Sequence, residues 1–458
     1  MNRLFKNLFL GAMTILVVAS CRKDIPDTDT SKNLGKEAST YDSKIIIDYN
    51  NLYLELDRMA ANYRPCPTAR TFGYLNLACY EAVVHGMPGY RSLAPTFGID
   101  LPEPFAGNEY HWPTAFNAVQ GYLLRRYFPH VNEDLKNDIA AIEKRYEDLY
   151  EDQVAIDVFE RSKLYGLTIA TKIWEWSTTD KVGHDAYLDP FRGYNWVHTF
   201  KKDGDWKPTN VGIQNGIFPY FGSARTFAVE DALKICRPPL TMTDDPSSEI
   251  YAQGLEVVNA QKNPNAGWIG VFWSDDLSEL TFSPPVRFVA IANQVYGLEK
   301  ANFAKAVLTN AKLGVTTNDV AVCVWNSKYH YNIERPETYI KRVITPNFNT
   351  ILNNPLNGVK GITPPFPAYP SGHSTFGAAA AEVLADEFGF AYSMTDRCHE
   401  NRTNFDGRPR SFNSFHEMAL ENAISRIYLG VHFRMDCDEG VRYGQEIGRR
   451  VNKLPWKG

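Results

Sequence analysis

The chain has 458 residues and a net charge of −5, so bulk attraction to nucleic acid is not expected. Its length admits one large or two moderate domains with a sizeable core. Its seven cysteines, Cys21, Cys66, Cys79, Cys236, Cys323, Cys398 and Cys437, match no metal-ligand spacing and are too sparse for a disulfide scaffold.

Residues 1–21 read as an export signal: Arg3 and Lys6, an apolar run from Leu8 to Val18, and small residues before Cys21. Val18-Ala19-Ser20-Cys21 resembles a bacterial lipobox. The expectation is an exported lipoprotein of the bacterial cell envelope, touching the membrane only through a lipidated Cys21. The alternative is an ordinary signal with an incidental cysteine. Residues 22–44 are polar and read as a flexible tether. No later stretch is long and apolar enough to cross a membrane.

Apolar spacing predicts helices over 45–63, 68–85, 113–127, 132–149 and 153–176, with the Glu/Lys-rich fourth on the surface. Residues 187–221 are rich in Gly, Pro and aromatics and read as a long ordered loop. A boundary near Asp231 divides the chain into an N-terminal helical half, 45–230, and a C-terminal half, 231–458. Further helices are expected at 247–262, 285–296, 300–312, 317–331, 374–388, 414–429 and 445–451. With little alternating pattern, the class is all-α. Cys79 and Cys323 fall in apolar patterns as core thiols, whereas Cys398 and Cys437 flank one motif closely enough to pair.

Three stretches of the C-terminal half carry the chemistry. KYHYNIERP holds Lys328 and, seven residues on, Arg335 before Pro336. On one helix both cations face one way, with Pro336 ending it. PAYPSGHSTFG suits a helix start: Ser371 as its cap, Gly372 for close approach of a ligand, and His373 in the first turn beside any anion held there. In SRIYLGVHFRMD, read as a helix, His432 and Asp436 stand one turn apart with Arg426 close by. The carboxylate then accepts the ring Nδ1–H and leaves Nε2 free as nucleophile or ligand. Three cations, a helix start and two histidines define a pocket for a tetrahedral oxyanion.

In this order and spacing, Lys328…Arg335-Pro336, Pro370-Ser371-Gly372-His373 and Ser425-Arg426…His432…Asp436 resemble the tripartite signature of the superfamily of vanadium-dependent haloperoxidases and type-2 phosphatidic acid phosphatases. TARTFGYLNLACYEAVVHG resembles the first conserved helix of its soluble haloperoxidases, and the fold implied is two helical-bundle halves. Arg434, and Trp325 and Phe366 as pocket wall, resemble the haloperoxidase branch. Phe366 stands where bromoperoxidases of the family tend to carry a second histidine.

The resemblance implies vanadate bonded through His432 and held by Lys328, Arg335, Arg426, Ser371 and Gly372. Asp436 orients the ring, His373 takes a proton from peroxide, and Lys328 polarises the oxidant so that halide attacks it. Substrates are then hydrogen peroxide and halide, giving hypohalous acid. In the alternative, a phosphatase without cofactor, His432 attacks a phosphomonoester and His373 protonates the leaving alcohol. Phe272-Trp273 followed by Asp275 and Asp276 resembles the family's aromatic-acid element. One carboxylate pairs with Arg335 or orients His373, or else caps a helix. Glu334 departs from the family, where an aromatic is common; turned inward, it would repel halide and leave chloride oxidation weak beside iodide and bromide. His330 is the outlying candidate for the pocket entrance, and the seven remaining histidines read as ordinary.

Overall fold

Helices form wherever apolar residues recur at three- and four-residue spacing, and the computed structural model describes residues 34–209 and 215–458. The export signal, its Cys21 and most of the tether therefore lie outside the described residues. The first half contains α1 (Lys44–Met59), α2 (Cys66–Val83), the one-turn α3 (Ala94–Phe97), α4 (Trp112–Tyr127), α5 (Glu133–Glu151) and α6 (Ile156–Thr178), then the one-turn α7 (Lys181–His184) and α8 (Trp196–Thr199). The second contains α9 (Glu249–Ala260), α10 (Ala266–Phe272), α11 (Pro284–Glu299), α12 (Phe303–Tyr331), α13 (Pro336–Val343), α14 (Gly372–Phe388), α15 (Phe415–Leu429) and α16 (Arg434–Asn452). A small hairpin of β1 (Met394–Asp396) and β2 (Arg410–Phe412) joins α14 to α15, with Thr395 opposite Ser411. The fold is all-α.

Two helices cross at the centre. Every residue of α2 is buried, and most of α12 is as well. Residues 300–312 and 317–331 were expected as two helices, but α12 runs unbroken for 29 residues. Gly314 weakens the helix by about 1 kcal/mol relative to alanine, and the crossing requires it. A Cβ there would stand 2.8 Å from the Phe72 carbonyl, and one on Gly73 would stand 2.9 Å from the Gly314 carbonyl. The largest apolar core runs from Leu34 to Trp456, so residues on both sides of Asp231 share it.

The tether is shorter than the sequence suggests. Leu34 and Ala38 are buried, Tyr41 packs edge-on against His111 and Phe303, and Asp42 bridges to Asn302. The Cys398–Cys437 pairing does not form. Cys437 Sγ donates to the Ala423 carbonyl, Cys398 Sγ accepts from Gln294, and all six described cysteines are free.

The contact between α14 and α16 builds the floor of the site. Gly440, Gly444 and Gly448 recur every four residues along α16 and let it lie directly on the α14 backbone. A Cβ on Gly444 would sit 2.3 Å from Thr375 O, and one on Gly448 2.6 Å from Ala379 O. This close approach lets Ser371 N donate to Asp436 O at 2.9 Å, joining two of the three sequence stretches through the main chain.

Candidate active site

Lys328 lies in the last turn of α12, fully buried. The helix does not continue to Arg335. Asn332, left-handed at φ 51°, caps α12. Ile333 and Glu334 follow outside any helix, and Arg335 is the N-cap of α13 with Pro336 at its first position. Pro336 thus starts a helix where the sequence suggested an end, since its missing N–H is harmless there. The cations converge through hydrogen bonds to the two remaining stretches. Lys328 Nζ donates to Pro367 O (2.9 Å) and Ala368 O (2.7 Å), and Arg335 Nε donates to Phe366 O (2.9 Å). Arg335 Nη1 reaches Val431 O (2.8 Å) and His432 Nε2 (3.0 Å), while Nη2 has no partner.

Ser371 caps α14 as expected, its Oγ accepting from Ser374 N at 3.3 Å. Gly372 opens the helix with nothing within 4 Å of where a Cβ would stand, and His373 follows. Arg426 sits in the last turn of α15, and Gly430 at φ 82° ends that helix. His432 therefore occupies a link between helices, and Asp436 lies in the first turn of α16. The pair meets across this link, not along one helix face. Asp436 Oδ2 accepts from His432 Nδ1 (2.9 Å) and from the Phe433 N–H (3.0 Å), so one carboxylate both caps α16 and fixes the ring.

Gly372, His373, Arg426 and His432 line a cavity of about 400 Å³ together with Trp325 and Phe366. Lys328, Arg335, Ser371 and Asp436 stand behind these groups. The Trp325 and Phe366 rings are 5.1 Å apart. The Phe366 face receives Lys328 Nζ at 5.1 Å and Arg335 at 5.0 Å.

The electrostatics are lopsided. Burial, reinforced by Arg335, holds Lys328 well below its ordinary value, and burial brings Arg335 down to about 9. Burial and the nearby cations hold His432 well below the usual imidazole range; burial and Arg426 bring His373 down to about 3. Both rings are thus neutral near pH 7. Asp436 is pushed up to about 7 by burial, against the pull of Lys328. Arg335 Nη2, Arg426 Nε and Nη1, and His373 Nε2 are buried without partners. Such a surplus of unpartnered donors, with an imidazole lone pair among them, fits a multi-oxygen anion. The vanadate expected from the sequence meets that donor set.

Asp276 is the acid left open in the sequence reading. Its Oδ2 accepts from Arg426 Nη2 at 2.7 Å and lies 3.9 Å from His373 Nε2. Burial would raise it, but Arg426 and His373 hold it low. Asp275 pairs instead with Arg287 at 3.3 Å. Two expectations about the periphery change, those for Glu334 and His330. Glu334 turns away from the cavity, to Arg342 (2.6 Å) and Thr338 (2.8 Å), and so does not oppose a halide. His330 is exposed and outside the cavity wall, and Arg434 binds Glu256 at the surface side of α16. The sequence did not flag Asn422, whose amide holds His373 O at 3.1 Å, nor Arg64 and the loop residues Phe191 and Phe218 in the cavity wall. None sits in a motif; Phe191 and Phe218 had only the aromatic richness of 187–221 as a signal.

Residues 309–455 match the family model of the VCPO second helical-bundle domain, a span that holds the three motif stretches with Trp325 and Phe366 but not the wall residues Arg64, Phe191 and Phe218. A vanadium chloroperoxidase from Curvularia inaequalis is 27% identical over 511 residues, covering 88% of this chain and 80% of that protein. A bacterial vanadium-dependent iodoperoxidase structure superposes with a TM-score of 0.77 at 26% identity, covering 92% of this chain and 98% of that one. The holo form of a bacterial vanadium-dependent chloroperoxidase, at 14% identity and a TM-score of 0.62 over 87% and 93% of the two chains, shares the fold. Residues 309–455 thus match the family's second helical-bundle domain, and the donor pocket and the likeness over most of the chain support a vanadium haloperoxidase.

Proposed function

We propose that the protein is a vanadate-dependent haloperoxidase, converting hydrogen peroxide, halide and a proton into hypohalous acid and water, with iodide and bromide as substrates. The observation that carries this reading is the set of buried, unpartnered donors on Arg335 and Arg426, with the unpartnered His373 Nε2 among them, around a His432 whose Nδ1 is fixed by Asp436 and whose Nε2 meets Arg335 Nη1. Likeness to a chloroperoxidase and an iodoperoxidase over most of the chain favours it over a phosphatase.

Asp436 accepts the Nδ1–H of His432, which leaves Nε2, now 3.0 Å from Arg335 Nη1, as the nitrogen that would hold the metal. Lys328, Arg335, Arg426, the Ser371 hydroxyl and the Gly372 N–H are the groups that would hold and neutralise the oxygens. The chemistry that vanadate would supply when held there is that of a Lewis acid toward peroxide, with no change in its oxidation state. His373, neutral at working pH, accepts a proton from incoming peroxide through its ring. Asp276 stabilises the resulting imidazolium, and the proton later leaves with water. Trp325 and Phe366 exclude water from this volume. An exported lipoprotein anchored through Cys21 would place the activity at the cell envelope; the support is the signal pattern in residues 1–21.

The test is a panel of iodide, bromide and chloride with vanadate and peroxide, run beside a phosphate-free phosphomonoesterase assay. Halide oxidation should vanish after dialysis against chelator and phosphate and return with vanadate. Phosphoester turnover without halide oxidation would assign the same residues to the phosphatase reading. Activity that follows iron or haem content would sink the vanadium reading altogether.

A further inference from the structure

One cation in the cavity wall has no task in the chemistry above. Arg64 lies in the turn between α1 and α2, with its side chain only 8% exposed. It lines the same cavity as His373, Arg426 and His432. Its Nη2 is anchored on the Asp275 carbonyl at 2.9 Å, while Nη1 is buried without a partner. The acids around it are engaged elsewhere. Asp57, 4.0 Å from Arg64 Nε, accepts from Ser283 N (2.6 Å) and Ser283 Oγ (2.7 Å). Asp275 pairs with Arg287 and Asp276 with Arg426. The cavity wall also carries the apolar side chains of Phe191, Phe218, Leu277 and Phe376.

We propose that Arg64 is a halide-docking residue, its free Nη1–H holding the anion inside the cavity before it meets the activated oxidant. The proposal rests on the haloperoxidase reading and adds a binding position for its second substrate. A phosphate or carboxylate needs several donors to replace its hydration, and Arg64 itself has only Nη1 unpartnered among the atoms it could offer. A monatomic anion needs a single strong donor and polarisable surroundings. Guanidinium is itself weakly hydrated and pairs best with an anion that sheds water easily. Entry into an apolar cavity costs less as hydration weakens from chloride through bromide to iodide, so docking follows that order.

The direct measurement is anomalous scattering from vanadate-loaded crystals of the full chain soaked in sodium bromide. A bromide peak is expected beside Arg64 Nη1, apart from the oxyanion pocket. In kinetics, Arg64→Gln should raise KM for iodide about tenfold, the loss of one charge-assisted hydrogen bond. KM for peroxide, vanadate affinity and kcat should remain near wild type. Arg64→Lys should recover part of the loss, and a preserved circular-dichroism melt would exclude misfolding. Absence of bromide at Arg64 in the wild-type crystal, or an unchanged iodide KM in Arg64→Gln, overturns the proposal. Bromide bound at Arg64 in a protein that oxidises no halide would preserve the docking site while removing the haloperoxidase reading.

Discussion

His432 and His373 share a cavity and a neutral charge but differ in their partners, and the difference separates their roles. His432 is fixed through Nδ1 by Asp436, whereas His373 Nε2 has only Asp276 at 3.9 Å. His432→Ala should abolish halide oxidation and vanadate binding together. His373→Ala should still bind vanadate, read by equilibrium dialysis, but turn over at least about a hundredfold more slowly for want of a proton acceptor. Near-normal turnover in His432→Ala would move the metal bond elsewhere. Glu334 tests the halide question from the opposite side. Its carboxylate faces Arg342 and Thr338, so Glu334→Gln should leave the iodide-to-bromide ratio unchanged while lowering thermal stability. Glu334→Trp should cost stability without raising bromide turnover, because the residue is 3% exposed and faces away from the cavity. The motif residues were legible because three short stretches, in one order and spacing, resemble a known signature. The direction of Glu334 was not, since it depends on Arg342, eight residues on. Nor was the choice between Asp275 and Asp276, which turns on the positions of Arg287 and Arg426.

Most of the longer helices were legible, but α10 and α13 were not, α16 starts at Arg434 where a helix was expected only over 445–451, and helix ends decided the site. Periodicity marks where apolar faces recur but is silent on single left-handed residues. Asn332 and Gly430 each stop a helix just short of a functional side chain, so Arg335 and His432 stand on the links and not on helix faces. Gly430 after Leu429 was a readable stop; Asn332, inside a polar run, was a weak one. The glycine stripe of α16 was also visible in the sequence, but its meaning required the partner helix. Gly444→Ala would push α16 from the Thr375 carbonyl and strain the Ser371 N–H to Asp436 O bond. We expect a loss of about 2 kcal/mol or more in denaturant unfolding, together with weaker vanadate binding. Unchanged values for both would show that α14 and α16 have room to separate.

At the scale of the whole molecule, titration acts far from the chemistry as well as near it. Glu81 on α2 accepts from Ser92 Oγ (2.5 Å) and Leu93 N (2.8 Å), yet burial pushes it up to about 7. A carboxyl raised in the folded state binds a proton that the unfolded chain has released. Its contribution to stability is present below the unfolded value near 4.5 and is lost as pH rises through about 7. Glu81→Gln should therefore flatten the stability profile. Relative to wild type it gains up to roughly 3 kcal/mol between pH 5 and pH 8, with the iodide and bromide activities unchanged. Parallel profiles for the two proteins would refute this. The shared core from Leu34 to Trp456 was the least legible feature at this scale. Composition suggests a boundary near Asp231, whereas the joining of the halves depends on the crossing of α2 and α12, which no local pattern announces.

The clustering of Lys328, Arg335 and Arg426 has a consequence for folding as well as catalysis. Three cations gathered in a desolvated volume oppose one another, and the cost appears in the depressed values of Lys328 and Arg335. An oxyanion that binds only the folded chain acts as a thermodynamic keystone, deepening the native well by mass action. The gain is about 2.7 kcal/mol at a hundredfold excess over its dissociation constant. Any tetrahedral oxyanion that fits should share in this, so vanadate and plain phosphate should both raise the melting temperature in proportion to the logarithm of their concentration. Chloride at the same ionic strength, the weakest-docking halide, should raise it far less. A phosphate buffer would then protect the protein during purification while withholding the pocket from its metal.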